Sequence, residues 1–83
     1  MKVLLVEPAS KQTSDLIAYL TKEGFSVCHT SNAELALKRS LVEKPDVVLL
    51  GFQFDTVQGI DVCYQLSSEK RLYQTRFVVF AEN

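Results

Sequence analysis

The apolar positions along the chain alternate between two kinds of stretch. Residues 3–6, 47–50 and 77–81 are short apolar runs without polar interruption, which is typical of strands buried on both faces of a parallel sheet. Residues 25–29 alternate instead and predict a short strand near the sheet edge. Between these runs, residues 10–23, 33–43 and 60–66 carry apolar side chains at helical spacing.

The residues that flank these stretches predict where the helices end. Gly24 is placed to cap the first helix, and residues 31–34 fit a capping box for the second. Pro45 disfavours the helical conformation at Lys44 and so ends the second helix. Residues 67–76 read as a polar connection. Short links between alternating strands and helices predict a parallel, doubly wound α/β sheet.

Composition indicates one small globular domain. The 83 residues are 47% hydrophobic and 23% charged, with a net charge of -1. Because no basic cluster exceeds two adjacent residues, we expect no nucleic-acid contact from this segment. No apolar run has the length of a membrane span or a signal peptide, and Cys28 and Cys63 read as reduced core thiols. We therefore expect a cytoplasmic protein without membrane contact.

The residues that follow the strands decide what chemistry the chain can support, because ligands of open α/β sheets collect there. Glu7 and Pro8 follow the first strand, Gly51 follows the third, and Ala81 ends the fourth. A hard divalent cation needs several clustered oxygen ligands, and only Glu7 offers a carboxylate. We expect no metal and no cofactor, with Glu7 either solvated or a helix-dipole partner.

Other reactive side chains lack the companions that catalysis needs. His29 ends the second strand alone and is expected at the surface, and Cys63 is expected to pack in the core. Asp55 comes four residues too late for the strand-end site and is expected to cap the third helix or lie in solvent. Phe52 and Phe54 either fill the crevice or offer a docking surface.

The order of elements and the residues at their ends resemble the receiver domain of bacterial two-component response regulators. The matching segments are residues 2–7, 19–20, 23–27 and 43–50, and Gly59 stands where receivers carry the glycine that closes a loop after the third strand. The resemblance covers the whole chain. It implies a flavodoxin-like, or CheY-like, fold with strand order 2-1-3-4.

The departures from that family fall on its active site. By the resemblance, Gly51 stands where receivers carry the phosphorylated aspartate, Pro8 replaces one of an acidic pair, and Ala81 replaces a threonine or serine. Glu7 matches the family, and the family's lysine belongs to a fifth strand that these elements do not include. The resemblance therefore implies a degenerate phosphoacceptor pocket formed by Glu7, Pro8, Gly51 and Ala81.

Receivers have five strand-helix units, whereas residues 1–83 predict three units and a fourth strand. We expect an incomplete receiver-like domain in which the fourth strand is an edge. Phe77, Val78, Val79 and Phe80 make that strand apolar on both faces, and such an edge is a template for pairing with another chain. We expect an oligomer, or a fragment of a longer regulator, rather than an independent monomer.

These observations favour a non-enzymatic signalling module that is not phosphorylated and acts through a protein partner or self-association, as the N-terminal part of a larger response regulator. A competing hypothesis is a magnesium-dependent phosphoacceptor with a relocated site at Asp55, assisted by Glu7. A third is a small-molecule ligand in the degenerate pocket.

Overall fold

The computed structural model describes residues 1–32, 35–51 and 58–80. Within these ranges four strands and three helices alternate, with a short 3-10 turn before the last strand. Their bounds are β1 Lys2–Val6, α1 Lys11–Lys22, β2 Ser26–Thr30, α2 Ala36–Glu43, β3 Val47–Gly51, α3 Gln58–Ser67, the 3-10 turn Lys70–Leu72, and β4 Arg76–Phe80. All neighbouring strands are parallel, in the order β2-β1-β3-β4. The predicted α/β fold and strand order are confirmed.

One face of the sheet carries the main core. Leu4 and Val6 of β1 and Val48 and Leu50 of β3 are fully buried there. They form one cluster with Ala36 of α2, Leu66 of α3 and Leu72 of the 3-10 turn, and Phe77 and Val79 of β4 pack against it. The polar connection predicted at residues 67–76 therefore supplies a core residue.

On the opposite face of the sheet, the side chains become more exposed from β1 toward β4. Leu5, Leu49 and Val78 are neighbours across β1, β3 and β4. Leu5 is fully buried, Leu49 is half-buried, and Val78 is 46% exposed. Within the described residues β4 pairs only with β3, so its far edge and part of this face are uncovered.

The helix ends follow local chemistry. The Ser10 side chain caps α1 by accepting a hydrogen bond from the Thr13 amide at 3.1 Å. Gly24 has φ +95, the left-handed conformation that ends many helices, as predicted. The predicted capping box includes residues 33 and 34, which lie outside the described residues, and α2 itself begins at Ala36 without a side-chain cap. Lys44 ends α2 in a left-handed conformation with φ 47.

No helix in residues 1–32, 35–51 or 58–80 is long and apolar enough to cross a membrane.

Ser40 is a polar residue inside the main core. It is fully buried on α2, and among the residues that the structure describes its hydroxyl has no hydrogen-bond partner. A buried hydroxyl without a partner loses its hydration without compensation, at a cost of about 1–3 kcal/mol. We therefore expect the Ser40 hydroxyl to lower the free energy of unfolding.

Replacing Ser40 by alanine should stabilise the protein. We expect Ser40→Ala to raise the free energy of unfolding by about 1–2 kcal/mol in urea titrations, because it removes the unpaired hydroxyl. Ser14→Ala, at an exposed position of α1, is the control for the higher helix propensity of alanine. Destabilisation by Ser40→Ala would show that the hydroxyl makes a bond in solution.

Candidate functional site

The carboxyl ends of β1 and β3 bring Glu7 against Gly51. Gly51 is the last residue of β3 and pairs with Phe80, so the prediction that it lies beyond the strand is wrong by one residue. A β-carbon built on Gly51 would lie 2.9 Å from Cγ of Glu7 and 3.2 Å from its carboxyl carbon and Oε1. The Glu7 side chain therefore occupies the space in which any side chain at position 51 would begin.

The Glu7 carboxylate is buried. Only 5% of the residue is exposed, so of the two predicted environments, solvent and a helix dipole, solvent is wrong. Its Oε2 accepts a hydrogen bond from the Thr13 hydroxyl at 3.1 Å, and Thr13 is itself buried in the first turn of α1. The positive end of the helix dipole lies at that turn. Among the described residues, Glu7 makes no ion pair.

Thr13 is the residue of this site that the sequence did not reveal. Its hydroxyl lies 2.8 Å from the carbonyl oxygen of Pro8 and 3.0 Å from the Ser10 hydroxyl, in addition to its contact with Glu7. It therefore joins the segment after β1 to the start of α1. The sequence signal for Thr13 was its position three residues after the N-cap serine. The hydrogen bond from its hydroxyl to Glu7, however, depends on how the chain turns between β1 and α1, which the sequence pattern does not give.

The main chain of Glu7 is held by β2. Its amide donates to the Thr30 carbonyl at 3.1 Å, and its carbonyl oxygen accepts from Nε2 of His29 at 2.9 Å. His29 is half-buried and so less exposed than the surface position predicted for it. Through this hydrogen bond, the His29 ring helps to hold the backbone at the end of β1.

Of the four residues assigned to the degenerate pocket, the structure describes three. Glu7 and Gly51 are in contact, and Pro8 is half-buried and contributes its carbonyl oxygen to Thr13. Ala81 lies outside the described residues, as do Phe52, Phe54 and Asp55 and the side chains of Cys63 and Phe80. In the described parts of the chain, no group of three or more His, Cys, Asp or Glu residues is placed to hold a metal ion.

Cys28 lies beside Leu4 on the face of the sheet that carries the main core, as a free thiol packed against that core. Burial, followed by the nearby negative charge of Glu43, raises the pKa of this thiol. Lys2 bonds Glu43 at 3.2 Å and lowers the pKa of that carboxyl. A thiol with a raised pKa is a weak nucleophile at neutral pH, which fits a packing role.

The chain is similar to two curated proteins of Bacillus subtilis (strain 168), and no family model matches it. It is 33% identical over 72 residues to the alkaline phosphatase synthesis transcriptional regulatory protein PhoP, covering 87% of this chain and 30% of that protein. It is 28% identical over 69 residues to the transcriptional regulatory protein ResD, covering 83% of this chain and 29% of ResD. The chain thus spans under a third of the length of these relatives.

Solved structures with this fold include signal receiver domains. The receiver domain of a protein described as a Luxo repressor from Vibrio parahaemolyticus matches with a TM-score of 0.81 at 20% identity, over 96% of this chain and 60% of that one. A chain from the complex of histidine kinase ThkA with response regulator protein TrrA matches with a TM-score of 0.71 at 20% identity, over 99% of this chain and 87% of that one. The fold is that of a receiver domain.

The contact between Glu7 and Gly51 predicts an energetic coupling between these two positions. Gly51→Ala should lower the free energy of unfolding by about 1–3 kcal/mol, because its methyl group would overlap Glu7. In the Glu7→Ala background the same substitution should be better tolerated, with a favourable coupling of about 1 kcal/mol or more in a double-mutant cycle. Urea unfolding of the four proteins measures it.

Gly24→Ala is the matched control for this cycle. A β-carbon at Gly24 would meet nothing within 4 Å, so alanine there is strained only through its positive φ. We expect no coupling between Gly24→Ala and Glu7→Ala. Equal coupling at both glycines, or none at Gly51, would contradict the packing of Glu7 against Gly51.

Proposed function

Because this chain is a receiver domain of the response-regulator type, we propose that it is a regulatory module that signals without being phosphorylated at the end of its third strand. Its action would be association with other proteins and not catalysis. The domain would span residues 1–83 as part of a larger regulator, in keeping with relatives that are transcriptional regulators of which the matched region covers 30% and 29%.

The observation that carries this proposal is the packing of Glu7 against Gly51. Phosphorylation of a receiver needs an acceptor carboxylate at this position by the family resemblance, and glycine has none. The space next to Gly51 is not free for another acceptor side chain, because Cγ of Glu7 lies 2.9 Å from where a β-carbon of residue 51 would be. Glu7 is buried, so it is poorly placed to react with a phosphodonor in solution.

The binding partners in this proposal are proteins. The structural neighbour that contains ThkA and TrrA is a complex of a histidine kinase with a response regulator protein, which supports a kinase-like partner here. The exposed edge of β4 and the uncovered row that ends at Val78 support pairing with a second copy through Phe77, Val78, Val79 and Phe80. Phe52 and Phe54 belong to the same proposed interaction surface.

The location in this proposal is the cytoplasm, without nucleic-acid or membrane contact by this segment. The free Cys28 thiol supports a reducing compartment, where unpaired cysteines persist.

The absence of phosphorylation is tested with a small-molecule phosphodonor. We expect the protein, incubated with acetyl phosphate and magnesium, to show no species that is heavier by one phosphoryl group in intact-mass spectrometry. The reason is that Gly51 offers no acceptor atom. A phosphorylatable receiver in the same tube shows that the donor is active.

A phosphorylated species would contradict the proposal, and the Asp55→Asn variant would then locate it. If the added mass disappears in Asp55→Asn, the acceptor is Asp55, and the magnesium-dependent alternative with a relocated site replaces the present one. If it persists, the acceptor lies elsewhere.

Self-association through β4 is tested by light scattering over a concentration series. We expect a mass that rises toward that of a dimer, and Val78→Lys to weaken the association about tenfold, because an edge lysine opposes strand pairing and removes apolar contact. Val42→Lys is the matched control, since Val42 is 71% exposed on α2. A monomer at every concentration, or equal effects of both lysines, would contradict association through β4.

A further inference from the structure

A groove lies between the C-terminal end of α2 and the 3-10 turn, at the amino ends of the strands and so at the opposite end of the sheet from Glu7. Its volume is about 400 Å³, and Leu41, Lys44, Arg71 and Leu72 line it. A volume of that order is in the range of pockets that bind small ligands or single side chains.

The walls of the groove are tied to each other. The Thr75 hydroxyl donates to the Pro45 carbonyl at 2.9 Å, joining the segment after the 3-10 turn to the segment after α2. The Leu72 amide donates a hydrogen bond to the Glu69 carbonyl oxygen, and the Thr75 amide donates one to the Leu72 carbonyl oxygen, both at 3.0 Å. A groove with fixed walls loses little conformational freedom when a ligand enters, which favours binding.

The base of the groove is apolar. Leu72 is 3% exposed and belongs to the main core, and Leu41 packs partly buried against that core. A leucine-sized side chain inserted here would contact both residues and lose its own apolar surface to water. The concave shape suits an inserted side chain better than a flat membrane surface.

Both charged residues that line the groove in the described structure, Lys44 and Arg71, are cationic. Within the described structure the Lys44 ammonium has no acidic partner. Arg71 bonds Glu69 through Nε at 2.9 Å and Nη2 at 3.1 Å, which leaves its Nη1 hydrogens available to a ligand. Glu43, the acidic residue next to Lys44, is engaged by Lys2 at 3.2 Å. Exposed Lys70 adds a further positive charge beside Arg71.

We propose that this groove binds an acidic peptide segment of a partner protein. One leucine-sized side chain of the peptide rests on Leu41 and Leu72, and carboxylates on either side of it face Lys44 and Arg71. Recognition depends both on apolar contact with the base and on ion pairs with the rim. The peptide must therefore carry a leucine-sized side chain and flanking carboxylates. This site requires neither Gly51 nor the β4 edge.

The test is a titration of the isotope-labelled protein with an acetylated and amidated peptide Asp-Glu-Leu-Glu-Asp, followed by amide chemical shifts. We expect saturable shifts at Leu41, Lys44, Arg71 and Leu72. A peptide with serine in place of leucine should bind about tenfold more weakly, because it buries no apolar side chain.

The basic rim is tested with Lys44→Asn, since asparagine tolerates the left-handed conformation at this position. We expect this variant to weaken binding of the leucine peptide about two- to fivefold, the size of one exposed ion pair. Lys22→Asn makes the same change at an exposed position of α1 and should leave the affinity unchanged.

The proposal is overturned if no saturable shifts occur in the groove, if the serine peptide binds equally well, or if both lysine variants lose the same affinity. Shifts of the groove amides on raising the protein concentration alone would identify a second copy as the occupant and would also overturn it. Phosphorylation or light-scattering results do not affect this outcome, so the two proposals fail independently.

Discussion

The structure depends on the burial of β1 between two neighbouring strands and beneath apolar side chains on both faces. β1 pairs in parallel with β2 on one side and β3 on the other, and its residues from Val3 to Val6 are at most 3% exposed. The chain leaves this strand at Glu7, whose amide is still bonded to the end of β2. The Glu7 backbone is therefore fixed in the interior, next to the end of β3. Its side chain begins there, although a carboxylate by itself prefers water.

The strands could be predicted because their signal is local. Residues 3–6 and 47–50 have only apolar side chains, and a sheet with helices on both sides is the structure that buries such runs. The same signal overstated the burial of the row formed by Leu5, Leu49 and Val78, of which Val78 is 46% exposed. Periodicity shows which residues can be buried, whereas actual burial depends on the neighbouring elements that cover them.

The candidate site was harder to predict because its contacts join distant positions. Glu7 was expected either in solvent, where carboxylates usually lie, or beside a helix dipole. Its burial depends on Thr13, six residues later, and on the missing side chain of Gly51, 44 residues later. The same holds for His29, which reaches back 22 residues to the Glu7 carbonyl. Leu72, inside a polar segment, joins the core through a 3-10 turn that the apolar pattern did not indicate.

The close approach of Glu7 to Gly51 also constrains how the protein can evolve. A substitution at position 51 meets the Glu7 side chain, whereas a shorter residue at position 7 first makes room for it. A side chain at position 51 therefore requires the Glu7 side chain to move, and the effect of a change at either position depends on the residue at the other. While Glu7 keeps its present conformation, a side chain added at the end of the third strand meets it, so we expect the residues at these two positions to vary together among related proteins.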